Sequence, residues 1–400
     1  MERHQQQLLE ALRAFLQNGT PEVLLTADGE WQRFWALAAE QKVLPIAAEA
    51  LSRTGAEVPP EIRRNAARTA VLQFRRADAL RQVLEALSDR GLRPLVVKGA
   101  VCRALYPKPE LRPSADEDLL SAPEDFPALT DALGQLGFEI APSGDGEQVT
   151  ACRQRETGLY LEVHRSLFPP DSQAYGGLNR FFTGAFARST EATADGCVLR
   201  TLCPQDHLLY LILHSFKHFL HSGFGIRQVC DICLFSAAWG NEIDWPALAL
   251  QLREVRADVF AANLLEIGRQ HLAIRDYGPA AEAWLSSLSD ALDCGDLLSD
   301  LLSGGVYGSS TEARQHSSRI TLAAVSGGGR SRQVLQTLFP ARKDLEGRFP
   351  YLKRHPLLLP LAYTQRIVRY KKATPAADAR ESLSIGQRRV ELLKKYRILP

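Results

Sequence analysis

Neither sign of charge is in excess: 48 basic and 46 acidic side chains among 400 residues leave a formal net charge of +2. That excludes an overall polyelectrolyte. No uninterrupted apolar run nears the roughly 18 residues a membrane-spanning helix needs; Leu357–Ala362 is short and holds a proline. The opening residues, MERHQQQLLEAL, are polar and contain no signal-peptide h-region. Seven cysteines form an odd set at irregular spacing. They suggest reduced thiols in a cytoplasm, not a disulfide framework. Internal repeats and extended low-complexity segments are also missing. What is present is ordinary globular usage, 45% hydrophobic and 24% charged, which excludes a largely disordered chain. The length predicts two or three lobes.

Three regions differ in texture. Residues 1–90 read as helical, with Leu8, Leu9, Leu12 and Phe15, then Trp31, Phe34, Trp35, Leu37 and Ala38, at three- and four-residue steps. Pro59 and Pro60 interrupt the pattern before a helix over 61–90 that ends at Gly91. Residues 91–203 read as a small α/β unit. Its strands are Leu95–Val97, Asp116–Leu120, Phe138–Ala141, Val149–Arg155 and Leu159–His164, and Cys197–Leu202 is expected to close the set. A helix follows Lys98 as far as Tyr106, and another covers 123–136. A polar loop spans 143–146. Residues 204–400 are again mostly helical, with glycine clusters at Gly304–Gly305 and Gly327–Gly329 and a basic tail. The last 60 residues hold 15 Lys/Arg against 5 Asp/Glu. The expected fold class is α+β, a small mixed sheet flanked by helices on both sides in the chain.

Asp116 and Asp118 lie two residues apart in a predicted strand, so alternation puts both carboxylates on one face. Adjacent carboxylates repel, and a divalent cation relieves the repulsion. Mg²⁺, which takes one or two carboxylates plus water and phosphate oxygens, suits such a pair. Glu162 supplies a third acid on another strand, on the same face as His164. Three acids on adjacent strands could hold two metals in a phosphoryl-transfer site. Upstream, Lys98-Gly99 sits at a strand-to-helix turn, where backbone N–H groups and a lysine could meet phosphate.

The run LVVKGAVCRALYPKPELRPSADEDLL resembles the motif region of the uncharacterised bacterial nucleotidyltransferases of the polymerase-β superfamily. The resemblance continues through LEVHRSLF, HLLYLILHSFKH, RQVCDICLF, SGGVYG and LFPARKDLEGRFPYLKRHPLLLP, and so covers roughly residues 90–400. It implies a Mg²⁺- or Mn²⁺-dependent transfer of a nucleoside monophosphate from NTP to an acceptor, with release of pyrophosphate. Asp116 and Asp118 match the metal-binding pair and Glu162 the third acid, which could also deprotonate the acceptor hydroxyl. Lys98, Gly99 and Arg112 are the nucleotide-binding candidates; for Arg112, clamping phosphate and pinning its own loop stand level. Two departures open a second possibility, an inactive binding module of the same fold. Ala100 replaces the usual Ser or Gly of the turn, and Glu117 replaces the usual apolar residue between the aspartates. An acid there would face the buried side of the sheet.

On a helix near 206–221, His207, His214, His218 and His221 fall within an arc of roughly 60°. This stripe, with Lys217, is expected to line the nucleotide or acceptor cleft. A solvated face ranks next and zinc on His214 and His218 well below. Arg227 and Asp231 either orient the stripe or form a surface i, i+4 pair. Cys230 and Cys233 read as small core residues. The acceptor, a small molecule, peptide or protein, leaves no motif. Nucleic acid is possible through the basic tail with Tyr363, Tyr370 and Tyr396, but not favoured.

Overall fold

The computed structural model describes residues 1–141, 148–172, 175–221, 223–304 and 376–399, with positions 349, 351–355, 358–360, 362, 363 and 365. The polar loop at 143–146, the glycine cluster at 327–329 and part of the basic tail, Tyr370 included, lie outside the described residues. The N-terminal apolar pattern folds as α1 (Arg3–Leu16), α2 (Asp28–Glu40), α3 (Leu44–Ser52) and α4 (Pro60–Ser88). Pro60 stands at the first helical position of α4, where its missing N–H costs nothing.

The sheet comprises β1 (Leu95–Val97), β2 (Glu117–Leu120), β3 (Glu139–Ile140), β4 (Val149–Arg153) and β5 (Tyr160–His164), ordered β1-β2-β5-β4-β3. Only β2 and β5 run parallel, and α6 (Phe126–Gln135) lies in the long connection between them. The helix after Lys98 is shorter than its pattern suggests: α5 spans Gly99–Arg103. Cys197–Leu202 does not join this sheet. The segment forms β7 (Cys197–Thr201), paired with β6 (Thr190–Ala194) in a separate hairpin. The turn residues Asp195 and Gly196 both have positive φ, which matches the right-handed twist of a tight hairpin. β6, with the sequence Thr-Glu-Ala-Thr-Ala, lacks the large apolar residues that mark a strand.

Helices α7 (Ala185–Arg188), α8 (Pro204–His221), α9 (Ile226–Trp239), α10 (Trp245–Glu254), α11 (Asp258–His271), α12 (Pro279–Ser287) and α13 (Gly295–Gly304) follow. One continuous apolar core runs from Leu8 through the sheet to Leu302 and on to Ile398. Gln41 fastens the N-terminal helices to the later ones, donating to the Leu301 carbonyl and accepting the Ile226 N–H. The changes of texture near residues 91 and 204 are therefore packed against a shared core. Within the tail, Tyr396 is fully buried and donates to the Asp293 carbonyl, while Lys395 and Arg397 pair with Asp293 and Asp290. These side chains are spent on the protein itself.

The face of β2 opposite Asp118 is closed. Glu117 is 3% exposed and lies 2.7 Å from Arg103 Nη1, and Arg103 Nη2 reaches Asp195 of the hairpin turn at 2.5 Å. The other Glu117 oxygen accepts the Ala100 N–H at 2.8 Å, at the start of α5. A Cβ on Gly99 would come within 1.8 Å of that oxygen, so a side chain there would displace the carboxylate from Arg103 and the Ala100 N–H. The acid between the two aspartates is thus an internal cap and ion-pair partner. Removing one member of such a pair leaves an uncompensated buried charge. We expect Arg103→Met to destabilise the protein by about 3–5 kcal/mol in urea unfolding. Arg103→Met combined with Glu117→Leu should recover much of that loss; a double variant as unstable as the single one would contradict this reading.

Candidate active site

Parallel pairing of β2 with β5 sets Asp118 opposite Glu162 and Leu120 opposite His164. Leu119 and Val163, on the other face, are fully buried in the core. Asp118, Glu162 and His164 therefore share one side of the sheet, as alternation predicts. One ligand atom from each lies within 4.8 Å of the others. His164 Nε2 is 2.8 Å from Asp118 Oδ1 and 3.6 Å from Glu162 Oε2. Asp116 precedes the strand and is half-buried. It lies within electrostatic reach of Asp118 and Glu162 but is not part of that convergent group. Of the three acids in the sequence motif, the structure brings two together and adds a histidine.

Lys98 approaches from β1, its Nζ 2.8 Å from Asp118 Oδ2. Burial works against charge on Lys98, but Asp118, with Tyr210 and Asp116 behind it, raises its pKa above the ordinary lysine range. Burial likewise opposes ionisation of Asp118, and Lys98 with His164 outweighs it, holding the carboxyl at about 2. Asp116 moves the other way: burial and the neighbouring Asp118 raise its pKa. For His164 burial is outweighed by hydrogen bonds to Asp118 and Glu162, and its pKa rises.

The backbone that aims Lys98 is strained. Its φ of 59° and ψ of −116° are seldom adopted by a residue with a side chain, at a cost of about 1–3 kcal/mol. A brace holds it. The Lys98 N–H donates to His207 Nε2 at 3.1 Å, and His207 Nδ1 lies 3.2 Å from Thr201 Oγ1, whose hydroxyl donates to the Val96 carbonyl at 2.6 Å. Because Nε2 accepts, the imidazole proton belongs on Nδ1. Burial lowers the His207 pKa to about 3 and keeps the ring neutral.

Helix α8 covers the site. The Lys98 Nζ lies 6.0 Å from the centre of the Tyr210 ring. One and two turns further on stand His214, Lys217 and His218, and the two histidines meet Nε2 to Nε2 at 3.0 Å. The histidine stripe is largely turned inward; burial, then the nearby Lys98, lowers the pKa of His214 and of Lys217. Arg112 is 2% exposed and grips Asp231 through Nε at 3.0 Å and Nη2 at 2.6 Å, with Tyr106 Oη on the same carboxylate at 2.8 Å. That ion pair ties Arg112 to α9 and makes it a pin for its own loop. Arg227 donates to the Pro113 carbonyl at 3.2 Å, so it and Asp231 are not a surface pair. Gly99 is buried against Glu117, which accepts the Ala100 N–H. Cys230 and Cys233 are buried free thiols, as expected of core residues. Glu117 faces the buried side, as the sequence predicts, whereas Thr201 and Tyr210 carry no sequence signal as organisers of the site and His207 reads as part of the stripe without its partner.

A small mixed sheet with an Asp-x-Asp motif at the start of one strand beside a strand glutamate, set among helices, is consistent with the nucleotidyltransferase fold. The chain belongs to the family of uncharacterised nucleotidyltransferases, whose pattern it matches over residues 27–273. It is also similar to a crystal structure of an antigenic nucleotidyltransferase-like protein from Paracoccidioides brasiliensis. That likeness has 16% identity and a TM-score of 0.29, covering 57% of this chain and 93% of the other. No curated protein matches. No described helix is long and apolar enough to cross a membrane.

The buried histidine brace has a pH signature. His207 folds with its pKa lowered from 6.5 to about 3, so the unfolded chain binds the extra proton between those values. Its contribution to stability is complete above pH 6.5 and declines as the pH falls toward 3. His207→Gln keeps an acceptor for the Lys98 N–H but does not titrate there. It should flatten the acid limb of a stability-against-pH curve by up to about 1.4 kcal/mol per pH unit. Urea midpoints between pH 4 and 7 measure this, and parallel curves for the two proteins would refute it.

Proposed function

We propose that the protein is a metal-dependent nucleotidyltransferase that moves a nucleoside monophosphate from NTP to an acceptor hydroxyl or phosphate. The observation that carries this reading is the convergence of Asp118, Glu162 and His164 beside Lys98, in a chain of the nucleotidyltransferase family. The donor set suits a divalent cation: two carboxylates and an imidazole, with Asp116 within electrostatic reach. Asp118 and Glu162 would hold the cation with Asp116 or His164. When bound, it supplies charge neutralisation for the phosphates and lowers the pKa of an attacking hydroxyl.

The protein's own groups do the rest. Lys98 and Lys217 face the acids from β1 and α8 and offer positive charge to a triphosphate chain as negative charge builds on the departing pyrophosphate. Glu162 has a third of its side chain open to solvent and accepts the acceptor's proton. A bond forms from the acceptor oxygen to the α-phosphorus, and the bond from that phosphorus to the pyrophosphate oxygen breaks. Arg112, Asp231 and Tyr106 fix the loop that carries Asp116 into place. Lys98 does this work without the serine hydroxyl that Ala100 replaces. The Lys98–Asp118 ion pair also favours a second reading, a binding module whose lysine permanently fills the cation's place.

Calorimetry with each NTP, with and without Mg²⁺ or Mn²⁺, separates the two. We expect metal-dependent binding of at least one NTP, weakened about 10-fold or more by Asp118→Ala and by Lys217→Met. Labelled NTP incubated with a lysate of the host would then identify the acceptor. An absence of binding to every NTP with either metal would sink the enzymatic reading.

A further inference from the structure

We infer that His164 is itself a metal ligand, so that the site takes its cation through Asp118, Glu162 and one imidazole nitrogen and prefers Mn²⁺ to Mg²⁺. The inference rests on the metal-dependent reading above and narrows it. Two neighbouring register positions, Asp118 opposite Glu162 and Leu120 opposite His164, put the ring on the acidic face of the sheet. There Nε2 stands 2.8 Å from Asp118 Oδ1, while Lys98 holds the other oxygen, Oδ2. The oxygen turned toward the ring is therefore the one that the lysine leaves open. Asp116, which completes the all-carboxylate set in the sequence motif, falls outside the group whose ligand atoms converge within 4.8 Å.

The chemistry of this donor set differs from that of three carboxylates. Mg²⁺ is a hard cation that favours oxygen and holds its water tightly. Imidazole is a better donor to first-row transition ions than to Mg²⁺, and Mn²⁺ is the member of that row that shares the Mg²⁺ preference for carboxylate oxygen, so a mixed set of two acids and one ring favours it. Replacing one acid by a neutral ring thus moves selectivity toward Mn²⁺. His164 is also nearly buried, so its ring has little freedom to turn elsewhere.

Electron paramagnetic resonance on the full chain tests this. Loss of the free Mn²⁺ signal counts bound ion, and electron spin-echo modulation reports nitrogen in the coordination sphere. Pyrophosphate serves as the phosphate probe because it contains no nitrogen. We expect nitrogen modulation in the Mn²⁺-loaded protein that changes when histidine carries the heavy nitrogen isotope and disappears in His164→Gln. The same substitution should weaken Mn²⁺ binding about 10-fold and Mg²⁺ binding much less. Isotope labelling of the unmodified chain keeps the test valid if the variant folds poorly. Bound Mn²⁺ without nitrogen modulation overturns the inference and leaves the metal reading standing. Failure to bind either cation, with or without pyrophosphate, removes both.

Discussion

A carboxylate sealed into a sheet must be given its counter-charge by the protein, and Asp118 is the group around which this molecule is arranged. It is 1% exposed, yet its pKa is held at about 2 because Lys98 lies on one oxygen and His164 on the other. Bare burial would have neutralised it. Three nearby elements supply its surroundings. β1 delivers the lysine, β5 delivers the histidine and Glu162, and α8 closes over them with Tyr210 and Lys217.

The same strand solves the opposite problem on its other face. Glu117 points away from the cleft and is neutralised internally by Arg103 and the Ala100 N–H. Neighbouring acids 117 and 118 therefore point to opposite faces, one neutralised by Arg103 within the fold and the other held by Lys98 and His164 beside Glu162. This division also accounts for Glu117, the acid that replaces the usual apolar residue of the motif. At Gly99 the Glu117 carboxylate occupies the space a side chain would take, and the turn is held from behind by His207 and Thr201. Strain at Lys98 persists because hydrogen bonds on both sides of the turn over-determine it.

Much of the architecture could be read along the chain. The helical pattern of residues 1–90, the five sheet strands and the common face of Asp118, Glu162 and His164 follow from periods of 3.6 and 2, which are local properties. The second hairpin was half legible: β7 has the apolar alternation of a strand, whereas β6 is made a strand by its partner and a tight turn. The roles of arginines were the least legible. Along the chain Arg112 reads equally well as a clamp or a pin, and only the fold shows its 2.6 Å approach to Asp231, more than a hundred residues on. A guanidinium serves a carboxylate and a phosphate with the same geometry, so its partner is a matter of distance in space.

The sequence by itself determined which groups carry charge, which face of each strand they occupy and which family the chain resembles. Residue order and the two backbone periods suffice for that. The tertiary structure decided which of those groups meet: His164 joins the acids where Asp116 stands aside, Glu117 turns inward, and His207 holds the lysine turn instead of lining a cleft. The physical reason is that ion pairing and coordination depend on separations of a few ångströms. Those separations arise from strand register and helix packing between distant parts of the chain.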